Sequence, residues 1–137
     1  VSEKGAPEGY TGDWLNAVGS VRLMGAEGDG LIEGLEGSRS ICSAEGIGSA
    51  DTVLVPLEDG DRCEALIGLG KEVLVIDLNP LSRTSLMASV TIVDEVARAS
   101  EALVKEVISC RSRPAQWDNQ GVLRDALHTM AGALERV

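Results

Sequence analysis

The sequence contains no phenylalanine, and only two tryptophans and one tyrosine among its 137 residues. Aliphatic side chains must therefore fill the core, and an aromatic platform for stacking nucleic-acid bases is argued against. Cations are also scarce: 12 Lys+Arg stand against 22 Asp+Glu, a net charge of −10. Non-specific nucleic-acid binding and docking on anionic lipid both need positive charge, so neither partner is expected. A single small anion stays open, because one or two arginines and a helix N-terminus can hold it. There is one histidine, His128, and three widely spaced cysteines, Cys42, Cys63 and Cys110, with no C-x-x-C pair. A structural zinc site is argued against. An odd, sparse set of thiols fits a reducing, cytoplasmic setting better than a disulfide framework. No apolar run reaches the about 20 residues of a membrane span, and residues 1–7 lack the cationic start and apolar stretch of a signal peptide.

What is present is ordinary for a folded domain: 44% hydrophobic and 25% charged residues, in a length typical of one domain. Residues 1–12 read as a loose end, 13–20 as a short helix and 21–24 as a short strand; 25–40 holds five glycines and reads as a loop, and 43–50 as a short helix. From residue 52 the pattern sharpens. β-Branched, fully apolar strands are expected at 52–55, 73–76 and 90–93, alternating with helices over 62–69, 83–88 and 95–109. Gly70 is placed to stop the first of these helices. The last presents Val96, Ala99, Leu103, Val104, Val107 and Ile108 on one broad face. Such strands imply a parallel sheet buried on both faces. A breaker-rich stretch around Pro114 leads to Asp118, which can cap a final helix over 119–137. Its apolar stripe is Val122, Leu123, Ala126, Leu127, Met130, Ala131 and Leu134. The expected fold class is α/β, a Rossmann-like parallel sheet with short flanking helices plus a C-terminal amphipathic helix. The expected divisions are an N-terminal segment over 1–30, an α/β domain over 31–109, and a linker and helix over 110–137.

Parallel sheets bind ligands outside the carboxyl ends of their strands. Three loops qualify: 56–62, 77–84 and the one beginning at Asp94. In the second, Asn79-Pro80 forces an extended or turned chain, and Ser82 stands where a helix N-cap belongs. Ser82, Arg83 and Thr84 would place two hydroxyls, backbone N–H groups and a guanidinium around a helix start, a set suited to phosphate. The same residues also read as a capped helix with an exposed arginine. In the first loop, Asp61 with Glu64 fits a capping box. Alternatively, Glu58, Asp59 and Asp61 are crowded enough to require a cation, a ribose hydroxyl pair or Arg62 as compensation.

Other candidates are weaker. No G-x-G-x-x-G fingerprint follows a strand, and no P-loop is present. His128 reads as a boundary histidine without a triad around it. Cys63 reads either as a thiol near a helix start or as a packing residue. No metal ligands and no catalytic acid or base are singled out.

Two segments go further. Val55-Pro56-Leu57-Glu58-Asp59-Gly60-Asp61-Arg62, followed by Glu64-Ala65-Leu66, and Ile76-Asp77-Leu78-Asn79-Pro80-Leu81-Ser82-Arg83-Thr84 resemble the archaeal 4-phosphopantoate–β-alanine ligases, or phosphopantothenate synthetases. The likeness continues through Thr91-Ile92-Val93-Asp94 and reaches weakly back through 32–39 and 45–47, so it covers roughly 32–98. The resemblance implies a homodimeric enzyme of coenzyme A synthesis with a Rossmann-like sheet. It would join β-alanine to 4-phosphopantoate with ATP, through an acyl-adenylate, releasing AMP and pyrophosphate, with magnesium expected beside the ATP. It implies a nucleotide site at Asp59, Gly60, Asp61, Arg62, Asp77, Leu78, Asn79, Ser82, Arg83 and Thr84, with Asp59, Asp61 or Asp77 on ribose hydroxyls or magnesium. Glu36 and Arg39 are implied as substrate contacts, although the family continues Gly34-Leu35-Glu36 with His-Asn-Arg where this chain has Gly37-Ser38-Arg39. Family chains are longer and begin with a basic portion to which residues 1–30 show no likeness, and the tail from Arg111 has no recognised counterpart. The alternative reading is therefore a nucleotide- or phosphometabolite-binding domain without the complete ligase.

Overall fold

β-Branched and aliphatic runs set the strands of the second half of the chain. β3 (Thr52–Val55), β4 (Glu72–Ile76) and β5 (Val90–Ile92) form a parallel sheet in the order β3-β4-β5. β1 (Gly30–Leu31) and β2 (Ile41–Cys42) form a separate antiparallel pair. The computed structural model describes residues 24, 28–57, 59–109 and 116–134. The helix expected over 13–20, nearly all of the strand expected over 21–24, Glu58 and Cys110 lie outside these residues. The chain divides into two units, one ending at Ala50 and one starting at Asp51.

In the first unit the glycine-rich stretch is not all loop. Gly30 pairs with Cys42 and Leu31 with Ile41, and the Ile32 N–H donates to the Ser40 carbonyl at 2.7 Å. Between the strands Gly34 and Gly37 take positive φ (86° and 66°), which glycine adopts without a Cβ clash. The short helix expected over 43–50 is a single π-helical turn, Ala44–Gly48, capped by Ser43 and kinked at Gly46 (ψ −109°).

In the second unit, α1 (Gly60–Gly68) links β3 to β4, and α2 (Arg83–Met87) links β4 to β5. α3 (Val96–Ser109) and α4 (Asn119–Leu134) follow. α1 ends in a Schellman turn: the Lys71 N–H donates to the Leu66 carbonyl and the Gly70 N–H to the Ile67 carbonyl, with Gly70 at φ 78°.

The register aligns Val53 with Val73, and Val55 with Val75; Val75 in turn aligns with Thr91. Alternate residues point to opposite faces. On this face Val73, Val75 and Thr91 are buried beneath helices together with Cys63 and Leu66. On the other face Leu54 aligns with Leu74, and Leu74 with Val90, and Leu54 is 49% exposed. Ile76 on that face is buried, so the burial on both faces that the sequence implied is fuller beneath the helices and only partial opposite. The reason is topological. Strands in sequence order, joined by right-handed crossovers, carry both connecting helices to the same side.

α3 carries its apolar stripe, but Ala99 is its only buried residue, and Val107 and Ile108 are 72% and 75% exposed. α4 packs on β5 and α2, with Leu123 buried and Met130 exposed. No helix among the described residues is long and apolar enough to cross a membrane.

Candidate functional site

Because β3 and β4 are adjacent and parallel, the loops after them leave the same edge of the sheet. The structure brings the segments 59–64 and 82–84 into contact. Gly60 eases the approach: a Cβ there would lie 3.1 Å from Arg83 Cδ and 3.3 Å from Arg83 Cβ. Beneath them Cys63 Sγ lies 3.9 Å from the Thr84 carbonyl.

α1 begins at Gly60, two residues earlier than expected, and this changes the roles of its acids. Asp59 is the N-cap, its Oδ1 accepting the Arg62 N–H at 3.1 Å. The capping box expected of Asp61 and Glu64 does not form. These two residues, three apart, share one helix face and meet Arg83 instead. Arg83 Nη1 donates to Asp61 Oδ1 at 2.5 Å, and Nη2 donates to Glu64 Oε2. The hydrogen bond to Glu64, then that to Asp61, strengthens the guanidinium's hold on its proton. The side chains are about half exposed, so the pairs add little to stability. What they do is fix where the cation sits.

The 77–84 loop is held by its own side chains. Asp77 Oδ1 accepts the Asn79 N–H at 2.8 Å, and Asp77 Oδ2 accepts from the Ser82 hydroxyl. Asn79 Oδ1 accepts the Leu81 N–H at 3.0 Å. Ser82 caps α2 as expected, its Oγ accepting the Ser85 N–H at 3.0 Å. The two hydroxyls expected at the surface are not presented there. Ser82 is spent on the cap, and Thr84 is fully buried with no hydrogen-bond partner for its Oγ1. Leu78, Asn79, Leu81 and Arg83 remain at the rim. Each Asp77 oxygen accepts one hydrogen bond within the loop, which fixes the shape of the turn.

The third loop holds an ion pair of its own. Asp94 Oδ1 accepts from Arg98 Nε at 2.7 Å and from the Glu95 N–H at 2.8 Å. The Arg98 bond, then the Glu95 N–H, holds the Asp94 carboxyl below the usual carboxylate range. Glu95 caps α3, accepting the Ala97 and Arg98 N–H groups at 2.8 and 3.2 Å; those bonds lower its carboxyl too.

The remaining candidates separate. Glu36 and Arg39 belong to the first unit, where Glu36 precedes and Arg39 ends an exposed 3₁₀ turn (Gly37–Arg39). Cys63 is a packing residue, fully buried, its thiol pushed up by burial and then by Asp59 and Glu64. His128 is exposed on α4. Among the described residues no three His, Cys, Asp or Glu side chains group as metal ligands. Sequence reasoning missed Asn119, whose side chain joins α4 to α2 and β5. Its only sequence signal is its place one residue after a capping aspartate, which does not distinguish a clasp from an ordinary first helical residue.

These features define a parallel α/β unit with charged loops gathered at the carboxyl ends of adjacent strands. The family described as phosphopantothenate/pantothenate synthetase matches residues 10–133, and the chain belongs to it. The match extends past both limits of the resemblance seen in the sequence, so the tail and most of residues 1–30 fall within the family. A 4-phosphopantoate–β-alanine ligase of Methanosarcina mazei is 50% identical over 91 residues, covering 66% of this chain and 36% of the relative. One from Thermococcus kodakarensis is 49% identical over 125 residues, covering 85% of this chain and 48% of the relative. One from Methanospirillum hungatei is 55% identical over 84 residues, covering 56% and 35%. The chain thus spans half or less of the length of these relatives.

Proposed function

We propose that this chain supplies the nucleotide-binding part of an ATP-dependent ligase that joins 4-phosphopantoate to β-alanine in coenzyme A synthesis. The observation that carries this reading is the roughly half identity to ligases of that name, spanning the loops that meet around Arg83. In the proposed reaction a carboxylate oxygen of 4-phosphopantoate attacks the α-phosphorus of ATP, and pyrophosphate leaves. The amine of β-alanine then attacks the acyl carbon of the adenylate, the bond to AMP breaks, and the amine gives up a proton.

Arg83 is the cation placed to meet phosphate oxygens, at the rim of a turn whose own N–H groups are largely used to hold its shape. Little covalent help is required of the protein, because positioning and charge stabilisation can carry both steps. Leu78 and Leu81 add apolar surface at the rim. Magnesium fits this reading as a complex with the polyphosphate, since that ion is commonly held by one or two carboxylates together with substrate phosphates. A cytoplasmic homodimer is part of the same proposal, and light scattering would report the oligomer.

Calorimetry with Mg·ATP tests the site, with measurable heat expected. AMP release that depends on both 4-phosphopantoate and β-alanine tests the reaction. A second reading is a nucleotide- or phosphometabolite-binding domain without the complete ligase, and the chain spans half or less of the ligases it matches. ATP heat without dual-substrate AMP release would select it.

A further inference from the structure

The first residue of α4 reaches back to two other elements. Asn119 Oδ1 accepts the Thr91 N–H of β5 at 2.7 Å. Its Nδ2 donates to the carbonyls of Ser85 at 3.1 Å and Ala88 at 3.2 Å, and to Thr91 Oγ1 at 3.2 Å. Both ends of the amide are used, so the donors and the acceptor each hold something in place. α4 does not need this side chain for its own start. Asp118 Oδ1 already accepts the Gly121 N–H at 2.9 Å, and Leu123 buries the helix against the unit.

The groups that Asn119 touches, in β5 and towards the C-terminal end of α2, connect to the turn that carries Arg83. The Thr91 hydroxyl donates to the Ser85 carbonyl at 2.9 Å. Ser85 Oγ donates to the Asn79 carbonyl at 3.0 Å, and the Ser85 N–H donates to Ser82 Oγ. Ser82 donates in turn to Asp77. An unbroken run of hydrogen bonds therefore joins α4 to the Asp77 carboxylate. α2 is only five residues long, and a helix of that length has no stability of its own. Its place is set by what it is tied to, and the carbonyls at its C-terminal end are tied to Asn119.

We infer that Asn119 is a positioning residue: from the head of α4 it fixes α2, and through α2 the 77–84 turn that presents Arg83. This rests on the reading of that turn as the nucleotide site. The discriminating change is Asn119→Asp, which keeps the acceptor facing Thr91 and removes both donors. Aspartate is favourable in the first turn of a helix, so α4 itself is not weakened. The comparison is Leu123→Val, which loosens the packing of α4 and leaves the amide in place.

Three readouts are taken on the full chain: thermal midpoint, amide hydrogen exchange over residues 79–85, and Mg·ATP affinity by calorimetry. Asn119→Asp is expected to speed exchange across 79–85 and to weaken ATP about tenfold, the loss expected for a buried hydrogen bond left unmade. Leu123→Val is expected to lower the midpoint while leaving ATP affinity within about twofold, as for sites that do not share partners. If Asn119→Asp does not fold, Thr91→Val removes the shared hydroxyl and takes its place in the comparison. The inference is overturned if the two variants weaken ATP equally at equal loss of midpoint. It is also overturned if Asn119→Asp leaves ATP affinity intact while Arg83→Ala reduces it. If the parent chain itself gives no ATP heat, the site reading falls and the nucleotide role of Asn119 with it. Unchanged exchange over 79–85 would then remove the structural clasp as well.

Discussion

Arg83 and Asp61 stand 22 positions apart in the chain and meet at 2.5 Å across the mouths of two neighbouring loops. The contact shows that the turns after β3 and β4 share one rim. It also gives the proposed phosphate-binding cation two carboxylate partners, Asp61 and Glu64, before any ligand arrives. A polyphosphate bound there would share the guanidinium with these carboxylates or displace them.

Arg83→Ala removes the cation and leaves the two carboxylates facing the phosphates. ATP affinity should fall at least about tenfold, in line with the loss of a charge-assisted hydrogen bond. Arg124→Ala alters an arginine on α4 that lies 3.6 Å from Asp118, and affinity should stay unchanged. Equal effects in calorimetry would reject the phosphate site.

Glu64→Gln should act in the opposite direction. It removes one of the two charges that compete for Arg83 and keeps the Asp61 contact. ATP affinity should rise a few-fold, more at low ionic strength, where partly exposed charges are less screened. A salt series of titrations on parent and variant gives the sign.

Two glycines at the C-terminal end of α1, one inside it and one just beyond, should respond oppositely to alanine. Gly70 sits at φ 78°, where a Cβ is strained, so Gly70→Ala should cost about 1 kcal/mol. Gly68 closes α1 with open space around its would-be Cβ, so Gly68→Ala should add about 0.5 kcal/mol or more. Urea unfolding of both variants measures the pair.

Acid should loosen the start of α3. Asp94 and Glu95 both have carboxyls lowered by folding, the first chiefly by Arg98 and the second by backbone N–H groups. A carboxyl lowered in this way favours the folded chain above its ordinary pKa, and that contribution is lost as pH falls through the lowered value. The first turn of α3 should be intact at neutral pH and fray below about pH 4. NMR titration should place both midpoints below those of an unfolded peptide, and Arg98→Ala should move that of Asp94 upward.

Cys63 should resist alkylation. Its thiol is fully buried and raised by burial and by two neighbouring acids, and the thiolate is the reactive form. Iodoacetamide followed by peptide mapping should leave it unmodified in native buffer and modify it fully in urea. Rapid labelling of the native chain would contradict its place in the core.

The parallel core was legible because each strand is a short apolar, β-branched run bounded by turn residues. Runs expected at 52–55, 73–76 and 90–93 appear at Thr52–Val55, Glu72–Ile76 and Val90–Ile92. Local caps were legible where one residue type fits one geometry, as at Gly70 and Ser82. The cap of α1 was not, since Asp59 and Asp61 both satisfy the pattern and only the helix start decides between them. Pairing of Gly30–Leu31 with Ile41–Cys42 escaped notice because two-residue strands carry no period. The grip of Asp61 and Glu64 on Arg83, and of Asn119 on Ser85, Ala88 and Thr91, joins residues remote in sequence. Those contacts depend on how helices pack and leave no trace in local composition.

The clasp at the head of α4 also bears on the order of assembly. β3, β4 and β5 follow one another in the chain and lie side by side in the sheet, so their pairing needs no residue beyond Ile92. Asn119 is synthesised after all of them. As the chain emerges from a ribosome, the sheet can be complete while the carbonyls of Ser85 and Ala88 still face water. The rim would take its final shape only when the last helix arrives.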